Sequence, residues 1–138
     1  MSKYYLAYGS NLNLAQMRRR CPNAKQLGGT ILHGYELFFN RYLGIREAEG
    51  KSLPLGVWEI NEDDEARLDV YEGYPELYSK SELEVEFSGK RIIALIYFMN
   101  EEKPFAPPTA SYLEGCRQGY RDFGFEQKYL DEALGVKS

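Results

Sequence analysis

One carboxylate in the chain occupies a position at which its proton affinity is expected to rise. Glu72 lies in the stretch LDVYEGYPELY, at the end of a predicted acidic helix and directly before Gly73. Residues four apart on a helix differ by about 40° around its axis, so Glu72 lies beside Leu68. If Leu68 faces the core, the carboxylate points partly inward, and burial raises its pKa. Such a glutamate can exchange protons near neutral pH. An exposed glutamate in the last turn of a helix would occupy the same position in the sequence.

A second candidate is the stretch YGSNL, from Tyr8 to Leu12, between a β-forming run and a short helix. Small and polar residues in this place are typical of a strand-to-helix turn. They are equally typical of a loop whose backbone N–H groups bind an anionic group. The local pattern leaves both interpretations open.

The residues needed for other common chemistries are scarce. His33 is the one histidine, and Cys21 and Cys116 lie far apart, so the sequence predicts no metal site. A Ser-His or Cys-His nucleophile would have to use His33, which is adjacent to Gly34 and is better explained as a structural residue. Motifs for a nucleophile elbow or for nucleotide phosphates are absent. The acidic run at 62–65 is interpreted as a feature of a helix N-terminus.

Composition favours one soluble domain over residues 1–138. The longest apolar runs are shorter than the roughly 20 residues that span a bilayer, and the N-terminus lacks the order of a signal peptide. Two remote cysteines fit reduced thiols, so we expect a cytoplasmic protein that does not associate with membranes. A net charge of −4 argues against a nucleic-acid partner. The cluster Arg18–Arg20 is interpreted as a solvated helix face.

The elements expected to position these residues give an α+β fold, because strands outnumber helices and mostly adjoin one another. Apolar and turn patterns predict strands over 4–8, 24–33, 35–41, 53–60, 78–87 and 91–99. Helices are predicted from residue 14 to a point before Pro22, from the Asn61 cap to about Glu72, and from Thr109 or Ser111 to about residue 134, with a break near Gly124. A polar loop is predicted over 42–52.

The two stretches together resemble the γ-glutamylcyclotransferase family (AIG2-like, or BtrG-like fold). The matching motifs are YGSNL at Tyr8–Leu12 and LDxxEGxPxxY at 68–78, and the later LIYFM and PPTASYLEGCRQG segments also resemble family members. The resemblance covers residues 4–124. It implies a small mixed β-barrel of five to six strands with peripheral helices.

The resemblance also implies a function. Family members convert a γ-glutamyl group to 5-oxoproline and release the attached amine, without metal or organic cofactor. Glu72 would be the catalytic general acid and base, and the loop would bind the γ-glutamyl group of a small-molecule substrate. The implied substrate-binding residues are Tyr8, Gly9, Ser10, Asn11, Leu12, Tyr78, Tyr97 and Tyr112.

Alternatives remain open for several of these assignments. Each tyrosine could instead serve core packing, since tyrosine has apolar bulk and a polar tip. A noncatalytic domain of the same fold that binds a small ligand would keep the loop. Family members occur as monomers and dimers, so a homodimer is compatible with the resemblance.

Overall fold

A computed structural model of the chain describes residues 2–100 and 104–135. Over these residues the architecture is α+β, as predicted. The strands are β1 (Lys3–Ala7), β2 (Lys25–Asn40), β3 (Tyr42–Ile60), β4 (Tyr78–Phe87) and β5 (Lys90–Met99). The helices are α1 (Leu14–Arg20), α2 (Glu62–Glu72), α3 (Ala110–Phe123) and α4 (Lys128–Ala133), and a 3-10 turn covers Ser10–Leu12.

The five strands form one sheet in the order β2-β3-β1-β5-β4. The central strand β1 pairs antiparallel with β3 and parallel with β5, and β2–β3 and β4–β5 are antiparallel pairs. Curvature of the sheet brings its edge strands β2 and β4 together. The Thr30 hydroxyl of β2 donates to the Glu86 carbonyl of β4. No backbone ladder joins these edges in the described structure. The predicted barrel is therefore an open, curved sheet.

The region 42–52, predicted as a polar loop, is the first half of β3. It pairs with the second half of β2 from Asn40↔Tyr42 to Tyr35↔Glu47, and the segments predicted as 24–33 and 35–41 are one strand with a register shift at His33/Tyr35. Gly44, which suggested a loop, lies opposite Phe38, and a Cβ on Gly44 would be 2.5 Å from the Phe38 ring. The glycine thus makes space for a cross-strand aromatic ring.

The core lies between the curved sheet and the helices. Its fully buried side chains include Leu6, Leu12, Met17, Leu53, Leu55, Ile60, Leu68, Ile96, Tyr120 and Leu130. Helix α3 begins at the Thr109 cap, which accepts from the Tyr112 N–H, and ends at Gly124 with a φ of 74°. In the described part of the chain, no helix combines the length and apolarity required to cross a membrane.

Candidate active site

The end of helix α2 determines where Glu72 lies. Asn61 and Asp64 form a reciprocal capping box at the start of the helix. The Asn61 side chain accepts from the Asp64 N–H, and the Asp64 side chain accepts from the Asn61 N–H. Gly73 ends it in the left-handed conformation with a φ of 67°, and its N–H bonds to the Asp69 and Val70 carbonyls. Leu68, one turn before Glu72, is completely buried. The predicted helix end is confirmed, and Glu72 faces inward as the wheel argument requires.

The surroundings of Glu72 raise its proton affinity. The Asn11 Nδ2 donates to Glu72 Oε1 at 3.3 Å. Burial raises the pKa of Glu72 to about 7, and the nearby Arg20 cation opposes this rise. The side chain is half-buried and lines an open cavity. A carboxyl group with this pKa populates both protonation states at neutral pH, as a general acid and base must.

The stretch 8–12 forms the opposite side of the site. Its 3-10 turn has hydrogen bonds from Leu12 N to Gly9 O and from Asn13 N to Ser10 O, both 3.0 Å. These bonds leave the N–H groups of Gly9, Ser10 and Asn11 unused by the turn, as at any helix start. The Ser10 Oγ lies 2.6 Å from the Tyr71 hydroxyl of α2. The loop and the end of α2 are therefore directly joined.

Hydrogen bonds from helix α3 and to strand β5 also hold this loop in place. The completely buried Tyr120 donates its hydroxyl to the Tyr8 carbonyl at 2.9 Å. Tyr8 in turn donates to the Tyr97 carbonyl at 2.8 Å. These buried bonds fix the backbone of the loop relative to the sheet.

The loop and Glu72 line one cavity of about 190 Å³. Eight of the nine residues predicted for the site border it: Tyr8, Gly9, Ser10, Asn11, Glu72, Tyr78, Tyr97 and Tyr112. Leu12 does not, because its side chain is completely buried and lies against Gly56 and Gly119. Leu12 therefore anchors the loop in the core.

The tyrosine hydroxyls of the cavity wall are bonded to the protein. Tyr78 donates to the Leu43 carbonyl at 2.7 Å, and Tyr97 donates to Asp69 Oδ1 at 2.6 Å. Tyr112 accepts from the Leu43 N–H at 3.1 Å. Burial raises the pKa of each of these phenols above its ordinary value of 10. The three rings thus form a rigid wall with neutral hydroxyls, combining packing with cavity lining.

Sequence reasoning missed several residues of the site. The cavity is also lined by Tyr5, Leu6, Tyr42, Leu43, Tyr71 and Leu77. Tyr42 and Leu43 were missed because they fell in the predicted loop. Tyr71 could have been found from its position next to Glu72. Arg20, placed in a solvated cluster by its sequence, contacts Asn11 and Tyr71 beside the cavity.

The histidine and cysteines lie outside this cavity. His33 is exposed on β2, while Cys21 and Cys116 are buried and unpaired. Burial raises the pKa of Cys21 to about 11 and that of Cys116 to about 12, so both are thiols rather than thiolates. No three His, Cys, Asp or Glu side chains in residues 2–100 and 104–135 are grouped as metal ligands would be.

Comparison with known proteins gives consistent results. A family model described as "Gamma-glutamyl cyclotransferase, AIG2-like" matches residues 5–115. A γ-glutamylcyclotransferase from Mus musculus is 26% identical over 147 residues, which cover 96% of this chain and 78% of the mouse protein.

Solved structures share the fold. One named γ-glutamyl cyclotransferase has a TM-score of 0.85 and 24% identity, over 99% of this chain and 89% of that chain. An uncharacterized protein from Homo sapiens has a TM-score of 0.82 and 25% identity, over 99% of this chain and 88% of that chain.

Proposed function

The chain belongs to the γ-glutamyl cyclotransferase, AIG2-like family, and we propose that it converts a γ-glutamyl amino acid or γ-glutamyl amide to 5-oxoproline and a free amine. The observation that carries this proposal is the half-buried Glu72, with a pKa of about 7, facing the YGSN loop across one small cavity. The name of the mouse relative supports it.

The proposed reaction requires no nucleophile from the protein. Glu72, as carboxylate, accepts a proton from the α-ammonium group of the substrate. The α-nitrogen then attacks the γ-carbonyl carbon and forms the five-membered ring. Glu72 returns this proton to the departing nitrogen as the γ-carbon–nitrogen bond breaks. The ring nitrogen still carries a second proton from the original ammonium group, which it loses to the Glu72 carboxylate; Glu72 then passes it to the released amine or to solvent. Holding amine and carbonyl in contact supplies much of the acceleration, because ring closure depends on orientation.

The remaining lining residues have supporting roles in this proposal. The N–H groups from Gly9 to Asn11 would face the substrate carboxylate or the developing oxyanion. The wall of Tyr78, Tyr97 and Tyr112 would exclude water and hold the glutamyl chain extended toward Glu72. The cavity of about 190 Å³ has the size of a small organic group rather than of a large ligand.

A panel of substrates tests the function. The folded protein is incubated with γ-glutamyl-alanine, other γ-glutamyl dipeptides and γ-glutamyl amides, and 5-oxoproline is quantified. We expect release from at least one class. If dipeptides raise the melting temperature but no product forms across the panel, the protein is a noncatalytic binding domain of this fold.

Replacement of Gly9 by Val should weaken ligand binding more than it weakens the fold. Gly9 lies close to the cavity wall: an added Cβ would be 3.3 Å from the Tyr112 Oη and 3.5 Å from Leu43 Cδ1. The two branches of valine would press on these groups or enter the cavity. We expect kcat/KM to fall at least about tenfold and Tm to change by only a few degrees.

Binding is measured separately as the thermal shift produced by γ-glutamyl-alanine, in an E72Q background that does not consume it. A large loss of Tm with an unchanged shift would instead show that Gly9 serves only the turn.

Neither chelation nor thiol removal should stop turnover. The proposed route uses only Glu72 and the amine of the substrate, and the two buried thiols lie outside the cavity. We expect EDTA treatment, and a Cys21→Ser, Cys116→Ser double variant, each to leave kcat/KM within about threefold of the parent. Circular dichroism controls for packing defects at the buried sites. Loss of activity in a folded, metal-stripped sample, restored by one added metal, would contradict the mechanism.

A further inference from the structure

Arg20 differs from the two arginines that precede it. Arg18 and Arg19 are exposed, whereas Arg20, the last residue of α1, is half-buried. Its Nη1 donates to Asn11 Oδ1 at 2.6 Å, and its Nη2 donates to Gln16 Oε1 at 2.5 Å. The guanidinium carbon lies 3.6 Å from the centre of the Tyr71 ring. Both terminal nitrogens of the Arg20 guanidinium and one face of its plane are therefore in contact with protein groups.

Arg20 determines which way the Asn11 amide points. An asparagine side chain has one oxygen acceptor and one NH₂ donor, and its orientation follows from its partners. Because Arg20 occupies the oxygen, the NH₂ group is directed to the Tyr5 hydroxyl at 2.9 Å and to Glu72 Oε1 at 3.3 Å. A flipped amide would present its oxygen to the carboxylate and repel it. Arg20 thus makes Asn11 a donor to Glu72.

Arg20 also places a positive charge beside Glu72. Asp69, on the same helix as Glu72, is paired with Lys80 and accepts from Tyr97. Arg20 is the cation that lowers the pKa of Glu72 against the effect of burial. The Cys116 thiol of α3 is neutral. Tyr42 also lines the cavity. Burial raises the pKa of the other phenols around it, which are therefore neutral: Tyr5, Tyr8, Tyr71, Tyr78, Tyr97 and Tyr112.

We propose that Arg20 is a positioning residue for the proposed general base: it holds the Asn11 amide in the orientation that donates to Glu72 and keeps one positive charge beside the carboxylate. Arg20 is not among the described residues that line the cavity, so it acts on Glu72, through Asn11 and through its charge, and not on the substrate. The inference rests on the proposed function for its catalytic meaning, but the coupling of Arg20 to Glu72 can be measured without turnover.

The test compares R20Q with two other variants. R19Q is the matched control, because it removes the same charge from an exposed neighbour. R20K keeps the positive charge but lacks the two terminal nitrogens that bond to Asn11 and Gln16. The pKa of Glu72 is measured by NMR titration of its ¹³C-labelled carboxyl group, assigned with E72Q. We expect R20Q to raise this pKa by about 1, R19Q to leave it within about 0.2, and R20K to restore at least half of the change.

The activity profile provides the second readout. With a rise of about 1 in the pKa, R20Q should lose about eightfold in kcat/KM at pH 6.5 and less than about twofold at pH 9, because the carboxylate is then ionised in both proteins. An unchanged Glu72 titration in R20Q would overturn the inference. An equal activity loss at every pH, together with a lower Tm, would overturn it as well, since that is the signature of a structural role. If the parent makes no 5-oxoproline, the proposed function fails, while the NMR titration still decides the coupling.

Discussion

The E72Q variant should be inactive and yet more stable than the parent at neutral pH. Glutamine keeps the shape of the side chain and can still accept from Asn11 Nδ2, but it cannot take a proton from an ammonium group. General acid–base catalysis contributes roughly 10²–10⁴-fold, and here one group serves both steps, so we expect kcat to fall by about 10³-fold. The measurement is 5-oxoproline release over the substrate panel.

The stability change follows from the raised pKa. The free carboxyl has a pKa of 4.5, and burial raises it to about 7 in the folded protein. Between these values the folded state binds more protons than the unfolded state, so stability falls as pH rises from 4.5 to 7. Above pH 7 the full penalty applies, at most about 3 kcal/mol and on the order of 2 kcal/mol for a half-buried group. E72Q lacks this penalty.

We therefore expect the Tm of E72Q to match that of the parent near pH 4.5 and to exceed it by several degrees at pH 8. E76Q is the matched control, because Glu76 is an exposed glutamate of the same motif and does not line the cavity. It should leave both activity and the pH dependence of Tm unchanged. An E72Q protein that retains most of its turnover would show that Glu72 is not the base.

Predictions from the sequence were most successful where the signal is local. The Asn61 cap, the acidic first turn and Gly73 define helix α2 within 13 residues, and the turn at Ser88–Gly89 defines the β4–β5 hairpin. The position of Glu72 beside Leu68 follows from helix geometry alone. The strand β3 was missed in part because Gly44 is explained only by Phe38 on the neighbouring strand. Such cross-strand compensation has no local signature.

The site shows the same division. Motifs predicted residues 8–12 and Glu72. Residues 8–11 and Glu72 line the cavity, whereas the side chain of Leu12 points into the core. Arg18, Arg19 and Arg20 are identical in type, and only the last contacts Asn11 and Tyr71. Which arginine turns inward depends on α2, about 50 residues later in the chain. The sequence pattern therefore predicted that all three arginine side chains are exposed to solvent.

Replacement of Gly119 by Ala should unfold the protein at a markedly lower temperature, although alanine is the better helix former. Gly119 lies in α3 against the end of the site loop, and an added Cβ would be 2.7 Å from the Asn13 N atom and 2.8 Å from the Leu12 carbonyl carbon. Backbone atoms cannot rotate away, so the helix or the loop must move. Overpacking of this kind costs about 1–3 kcal/mol, and helix propensity returns up to about 1 kcal/mol. We expect a net loss of about 1–2 kcal/mol and a Tm lower by about 4–8 °C.

The same helix provides the control for this prediction. Gly115, one turn earlier and also buried, would place its added Cβ 2.6 Å from the Gln16 Nε2 atom, at the end of a flexible side chain. G115A should therefore keep or slightly raise Tm, since the side chain can shift while alanine favours the helix. Both variants are compared by thermal and urea unfolding. Equal melting of G119A and the parent would mean that α3 does not pack on Leu12 and Asn13 as described. It would also remove the basis for assigning the rigidity of the YGSN loop to this helix, because Tyr120, which donates to the Tyr8 carbonyl, directly follows Gly119 in α3.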